Sequence, residues 1–224
     1  MRELTPLEAR VLGVLVEKQA TVPDTYSLSL NALLAGCNQK TARQPVMEAS
    51  EAELLAAVHT LKALSLIVEV SGARVARYEH NMARVLGLPS AAVALLAVLV
   101  LRGPQTAAEL RQNSERLYRF ADVSSVEGFL EEMAGKSPPR VLRLARAPGA
   151  REPRWVHLLC GAVDEHSLGI AASGAAAEGL GAGAGAVELE TLQAELRRQG
   201  EEIERLKVML ERVARELGIT STSD

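Results

Sequence analysis

The chain has 224 residues, a formal net charge of −3, 48% hydrophobic residues and only 3% aromatics. That length suits about two domains whose cores must be built from Leu, Val and Ala. The most apolar run, Ala91 to Leu101, stops at Arg102 and is shorter than the roughly 20 residues a membrane span needs.

The start, Met1-Arg2-Glu3-Leu4-Thr5-Pro6, shows no signal-peptide pattern and moves directly into a helix. Thr5 suits the N-cap, Pro6 the first helical position, and Glu8 completes a capping box. Leu7, Val11, Leu12, Leu15 and Val16 form one apolar stripe at helical spacing. A second helix is expected from about Ser27 to Cys37. After the polar joint Asn38–Ala49, the Ser50-Glu51-Ala52-Glu53 signature opens a third, whose core face holds Leu54, Val58 and Leu61 and beside which His59 is expected half-buried. The runs Leu66–Val70 and Arg74–His80 read as a hairpin turning at Ser71-Gly72-Ala73.

The same order then returns. Pro89-Ser90 opens an apolar helix that Gly103-Pro104 stops, and Thr106 caps a short helix through Leu110. A joint from Asn113 to Ser124 leads to a third helix opening at Ser125, with Val126, Phe129, Leu130 and Met133. Val141–Arg146 and Arg154–Leu159 form a second hairpin around Pro148-Gly149. Three helices followed by a hairpin is the plan of a winged helix, a variant of the helix-turn-helix module that reads DNA. The expected fold is therefore mainly α with small β-hairpins (α+β): winged-helix domains at residues 1–87 and 88–161.

The remainder differs in composition. Residues 162–187 are Gly/Ala-rich and read as a flexible linker. In residues 188–217, Leu189, Leu192, Leu196, Gln199, Ile203, Leu206, Leu210, Val213 and Leu217 alternate in steps of three and four, a heptad seam with one polar position. A coiled-coil-like helix and a homodimer are expected there, with a frayed tail at 218–224.

Charge is unevenly spread. Residues 1–87 carry 9 basic and 9 acidic side chains, residues 88–161 carry 10 and 7, and residues 162–224 carry 6 and 12. A DNA-binding third helix lays its first turns in the major groove, yet here those turns carry Glu51, Glu53 and Glu127, which repel phosphates. The basic candidates lie upstream, in joints whose asparagines stand 12 residues before Ser50 and before Ser125. Asn38, Gln39, Lys40 and Arg43 mark the first joint; Arg116, Tyr118 and Arg119 mark the second. Such side chains bond phosphates and base edges, and Tyr118 can stack. Equally, Arg116 and Arg119 can pair with Asp122, while Tyr118 and Phe120 close the core. The hairpins add Arg74, Arg77 and Arg143, with a charged, solvated edge as the plainer reading.

Catalytic signals are missing from the sequence. His59, His80, His157 and His166 have no metal-ligand spacing, and Cys37 and Cys160 stand far apart, so both read as reduced thiols and no cofactor is expected. The segments Leu28–Leu33, Cys37–Val46 and Glu115–Asp122 resemble the signature of the YceH-like family of uncharacterised bacterial proteins. The resemblance covers roughly residues 4–161 and implies two tandem winged-helix domains in a bacterial cytoplasmic setting, with no activity attached. Two functions stay open: a non-enzymatic DNA-associated regulator, and a protein–protein scaffold that does not bind DNA.

Overall fold

The computed structural model describes residues 2–70, 75–146, 149–163 and 205. The linker and heptad expectations, with every seam residue from Leu189 to Leu217, fall outside that set, as does Arg74. The described residues between 2 and 163 belong to one compact unit.

The first repeat begins with α1 (Pro6–Thr21). Thr5 caps it through a complete capping box with Glu8. A 3-10 turn (Pro23–Thr25) leads to β1 (Leu28–Ser29) and α2 (Leu30–Cys37), where Ser29 serves as N-cap. The helix expected from Ser27 thus starts three residues later, because its first residues pair as a strand. After the joint comes α3 (Glu51–Ala63), capped by Ser50 with Glu53, then β2 (Ile67–Val70) and β3 (Arg77–His80). The three strands make an antiparallel sheet in the order β1-β3-β2, with Leu28 opposite Tyr78 and Ile67 opposite His80. A short α4 (Met82–Leu86) closes the repeat.

The second repeat follows the same order. It contains α5 (Ser90–Arg102), α6 (Ala107–Ser114), α7 (Val123–Ala134), β4 (Val141–Arg143) and β5 (Trp155–His157). Thr106 and Glu109 form another capping box. Gly103 ends α5 with φ +76°, a conformation that favours glycine. In place of a first strand, Gln105 makes a single bridge to Trp155, exchanging backbone hydrogen bonds of 3.1 and 2.7 Å. β4 and β5 pair antiparallel as a separate sheet. The fold is α+β, with seven helices and small antiparallel sheets among the described residues.

One continuous hydrophobic core runs through both repeats. α5 is buried all round, every residue from Ala91 to Leu101 included. This fits a sequence with no polar face, because α1 covers one flank while α6, α7 and β5 cover others. Gly13 makes the α1–α5 approach possible: a β-carbon there would lie 3.0 Å from Leu101 and 3.1 Å from Val100. Two backbone bonds tie the repeats further. Gln44 N–H donates to the Leu101 carbonyl at 2.7 Å, and Leu4 N–H to the Leu159 carbonyl at 2.8 Å.

Candidate nucleic-acid interface

The first joint is built inward. The Asn38 side chain donates to the Ala49 carbonyl and accepts from the Ala49 N–H, both at 2.8 Å, so it staples the two ends of the joint together. The Gln39 amide donates to Thr41 O at 2.9 Å. Arg43 is only 6% exposed, and its guanidinium is fully enclosed. Its Nε donates to the Gly36 carbonyl at 3.2 Å, and its Nη1 and Nη2 grip the Glu17 carboxylate at 3.1 and 2.5 Å. The expectation that Arg43 meets a ligand gives way here: its donors are consumed by the fold. Lys40 alone of the four is exposed and has no side-chain bond among the described residues.

Sequence reasoning overlooked Arg10 and Glu17, the α1 residues that hold this joint. Arg10 is 1% exposed and donates to Pro45 O at 2.6 Å and Cys37 O at 3.4 Å, leaving its Nε without a partner. Burial lowers the Arg10 pKa, and the neighbouring Arg43 charge lowers it further. Burial likewise pushes the Cys37 thiol up to about 12, which keeps it protonated and inert. The sequence carried little signal for this: Arg10 only adjoins Val11 of the apolar stripe, and it is the structure that buries all of residues 8–16, where a charge must find a partner.

The second joint is built outward. α6 runs on through Ser114 and α7 begins at Val123, so Asn113 lies inside a helix and its amide donates to Gln105 Oε1 at 2.7 Å. The matched 12-residue spacing therefore has no structural counterpart. Asp122, not Ser125, caps α7, accepting from the Ser125 N–H at 2.7 Å and hydroxyl at 2.6 Å. These bonds lower the Asp122 pKa. Arg116 and Arg119 are exposed, and neither forms an ion pair among the described residues. Between them Tyr118 is 38% exposed. Its ring lies 4.8 Å from that of Phe120, which is buried and 5.9 Å from Phe129.

On the hairpins, Arg77 is exposed but donates to the Ser27 carbonyl at 2.7 Å. Arg143 is exposed, with its guanidinium carbon 5.8 Å from the Trp155 ring centre, a cation–π distance. Arg146 and Arg151 are exposed too, whereas Arg154 is spent on Pro104 O and Glu109. His59 is exposed rather than half-buried, because it occupies the outer face of α3. Among the described residues no three metal-ligating side chains converge, and no helix is long and apolar enough to cross a membrane.

A family model described as a protein of unknown function, DUF480, matches residues 4–150. The chain is 63% identical to a UPF0502 protein of Leptothrix cholodnii over 218 residues, 97% of each chain. It is 60% identical to a UPF0502 protein of Burkholderia orbicola, over 98% of this chain and 91% of that one. It is also 60% identical to one of Cupriavidus taiwanensis, over 99% and 90%. The chain belongs to the DUF480/UPF0502 family. This agrees with the YceH-like resemblance carried by the two joints. In this family member the first joint is an internal strut and the second presents its arginines and tyrosine to solvent.

Proposed function

We propose that this DUF480 protein is a non-enzymatic, DNA-associated tandem winged-helix protein that meets the phosphate backbone through its second repeat. The winged-helix reading rests on strand order: β1 lies between α1 and α2 and pairs with the last strand, giving β1-β3-β2. In the second repeat the Gln105–Trp155 bridge stands where β1 stands in the first. The observation that carries the DNA reading is the exposed set Arg116, Tyr118 and Arg119 at the approach to α7, with Arg143 on the following hairpin. Guanidinium groups bond phosphates and an accessible phenol ring stacks on bases.

The test is fluorescence anisotropy on a random duplex across a salt series. Arg116→Ala with Arg119→Ala weakens binding similarly on every sequence and reduces the slope of log K against log salt by about 1 to 2. Unchanged affinity and slope overturn the reading. In that case the second reading, a protein–protein scaffold without DNA binding, takes its place. It is favoured by α3, whose exposed face carries Glu51, Glu53 and Leu55, a surface unsuited to phosphates.

The heptad seam of residues 188–217 supports a homodimer, since Leu and Ile at seven of its nine positions make an apolar stripe that needs covering. Sedimentation of the full chain and of one ending at Gly161 tests this. A dimer only for the full chain, returned to monomer by Leu206→Asp, is the expected result; two monomers overturn it.

A further inference from the structure

The approach to α7 is braced by its own backbone. The N–H groups of Leu117 and Tyr118 both donate to the Ser114 carbonyl at 2.8 Å, and the Arg111 guanidinium donates to the Ala121 carbonyl at 3.1 Å, so the segment is tied at both ends. The Tyr118 ring rests against Phe120, tilted by 51° at 4.8 Å, and Phe120 in turn meets Phe129 edge-on at 5.9 Å. Phe120 is 4% exposed, whereas Tyr118 is 38% exposed. A phenol ring is thus held at the surface by aromatic packing beneath it, and the exposed Arg116 and Arg119 flank it in sequence. Little ordering remains to be done before such a ring can stack on a second one.

The neighbouring helix argues against a duplex as the ligand of first choice. α7 carries no basic residue, and its exposed positions include Glu127, Glu131 and Glu132. Of these, only Glu132 has a cationic partner among the described residues, Lys136 at 3.4 Å. The exposed Asp122 carboxylate adds a further negative charge at the helix start. Insertion of α7 into the major groove, as in helix-turn-helix modules, would bring these carboxylates between two phosphate strands. Without insertion, a duplex offers the joint only phosphates and sugars, because its base faces are stacked on one another. Guanidinium groups acting by charge alone favour the duplex, whose charge density is higher, and the phenol ring is then left without a partner. An unpaired strand reverses both points. It has no groove to be entered, and its base faces are free for an aromatic side chain.

We propose that the second repeat takes single-stranded DNA in preference to duplex, with one base stacked on Tyr118 and adjoining phosphates on Arg116 and Arg119. This names the ligand class of the DNA contact proposed above and rests on that reading. The arginines supply attraction that any phosphate backbone satisfies, and the ring supplies the discrimination, because only an unpaired nucleotide presents a face to it. Every base has such a face, so the preference is for strandedness and not for sequence.

The experiment measures fluorescence anisotropy of the full chain, at one salt concentration, on a fluorescein-labelled oligothymidylate, on a DNA backbone of the same length lacking bases, and on a duplex of that length. The oligothymidylate is expected to bind most tightly. Tyr118→Leu keeps an apolar side chain on Phe120 but removes the ring. It is expected to weaken the oligothymidylate about fivefold or more while leaving the baseless backbone and the duplex unchanged, and Tyr118→Phe is expected to retain the preference. Urea unfolding followed by Trp155 fluorescence checks that both variants are folded, and the comparison of probes on the parent chain needs neither variant. A duplex or baseless backbone bound as tightly as the oligothymidylate overturns the inference and leaves the DNA reading standing. So does a preference for the oligothymidylate that survives in a folded Tyr118→Leu chain. No saturation on any of the probes overturns both.

Discussion

Arg10 and Arg43 bring two guanidinium groups into the interior against one carboxylate, Glu17. The arrangement is tolerable because backbone carbonyls of Gly36, Cys37, Ala42 and Pro45 take up most of the remaining donors. Removing one partner of a buried pair strands the other, at about 3 kcal/mol or more. Arg43→Ala is therefore expected to lower the urea midpoint sharply, and Arg43→Lys to restore little of it, since an ammonium cannot reproduce the two-pronged grip on Glu17. A variant within experimental error of the parent would refute the strut. Two histidines give the fold a pH dependence. Burial pushes both His80 and His157 down to about 4 from 6.5, and each has a buried Nδ1 without a partner. The unfolded chain takes up these protons near pH 6.5 and the folded chain only near pH 4. Between those values the unfolded state binds more protons, so stability falls as pH drops from 6.5 towards 4; above 6.5 neither group contributes. Urea midpoints at pH 7 and pH 5 should differ, and His80→Gln with His157→Gln should narrow the gap. An equal gap in parent and variant would count against these two groups as its source.

At the scale of elements, what was legible in the sequence was what is local. The Thr5–Glu8, Ser50–Glu53 and Thr106 caps lie within one turn of the helices they start, and each is found in place. The buried character of α5 was equally plain from the unbroken apolar run between Ser90 and Arg102. β1 was missed because two residues are too few to show an alternation, and their pairing partners, Arg77 and Tyr78, lie far along the chain. The start of α7 was misplaced because Asp122 and Ser125 are both good caps, and the choice depends on where Phe120 must turn to reach the core. The fate of the joints was hidden for a related reason. Asn-Gln-Lys-Thr-Ala-Arg reads as a solvated basic run, and only the packing of α1 beneath it shows that Arg43 and Asn38 face inward. Tyr118 packs its ring 4.8 Å from that of Phe120, as the core-closing reading expects, and is 38% exposed.

At the scale of the whole molecule, the two repeats share one core, and this has a thermodynamic consequence. A first helix of an independent module would keep a polar face for solvent, but α5 has none, and α1 covers the flank that would otherwise be wet. Exposing that flank on separation would uncover apolar side chains along three turns of helix at about 25 cal/mol per Å². It would also break the Gln44–Leu101 and Leu4–Leu159 backbone bonds. Unfolding of the two repeats is therefore expected to be a single cooperative transition. The chain offers a direct measurement, because its one tryptophan, Trp155, lies buried in the second repeat. Its fluorescence reports that repeat, while far-ultraviolet circular dichroism reports helices in both. Coincident urea transitions by the two probes, for the chain ending at Gly161, are the expected result. Gly13→Leu forces a side chain against Leu101 and Val100, so it should shift both probes together to lower urea. Separated transitions, or a Gly13→Leu variant in which circular dichroism moves and Trp155 fluorescence does not, would mean that the repeats fold independently despite their common core.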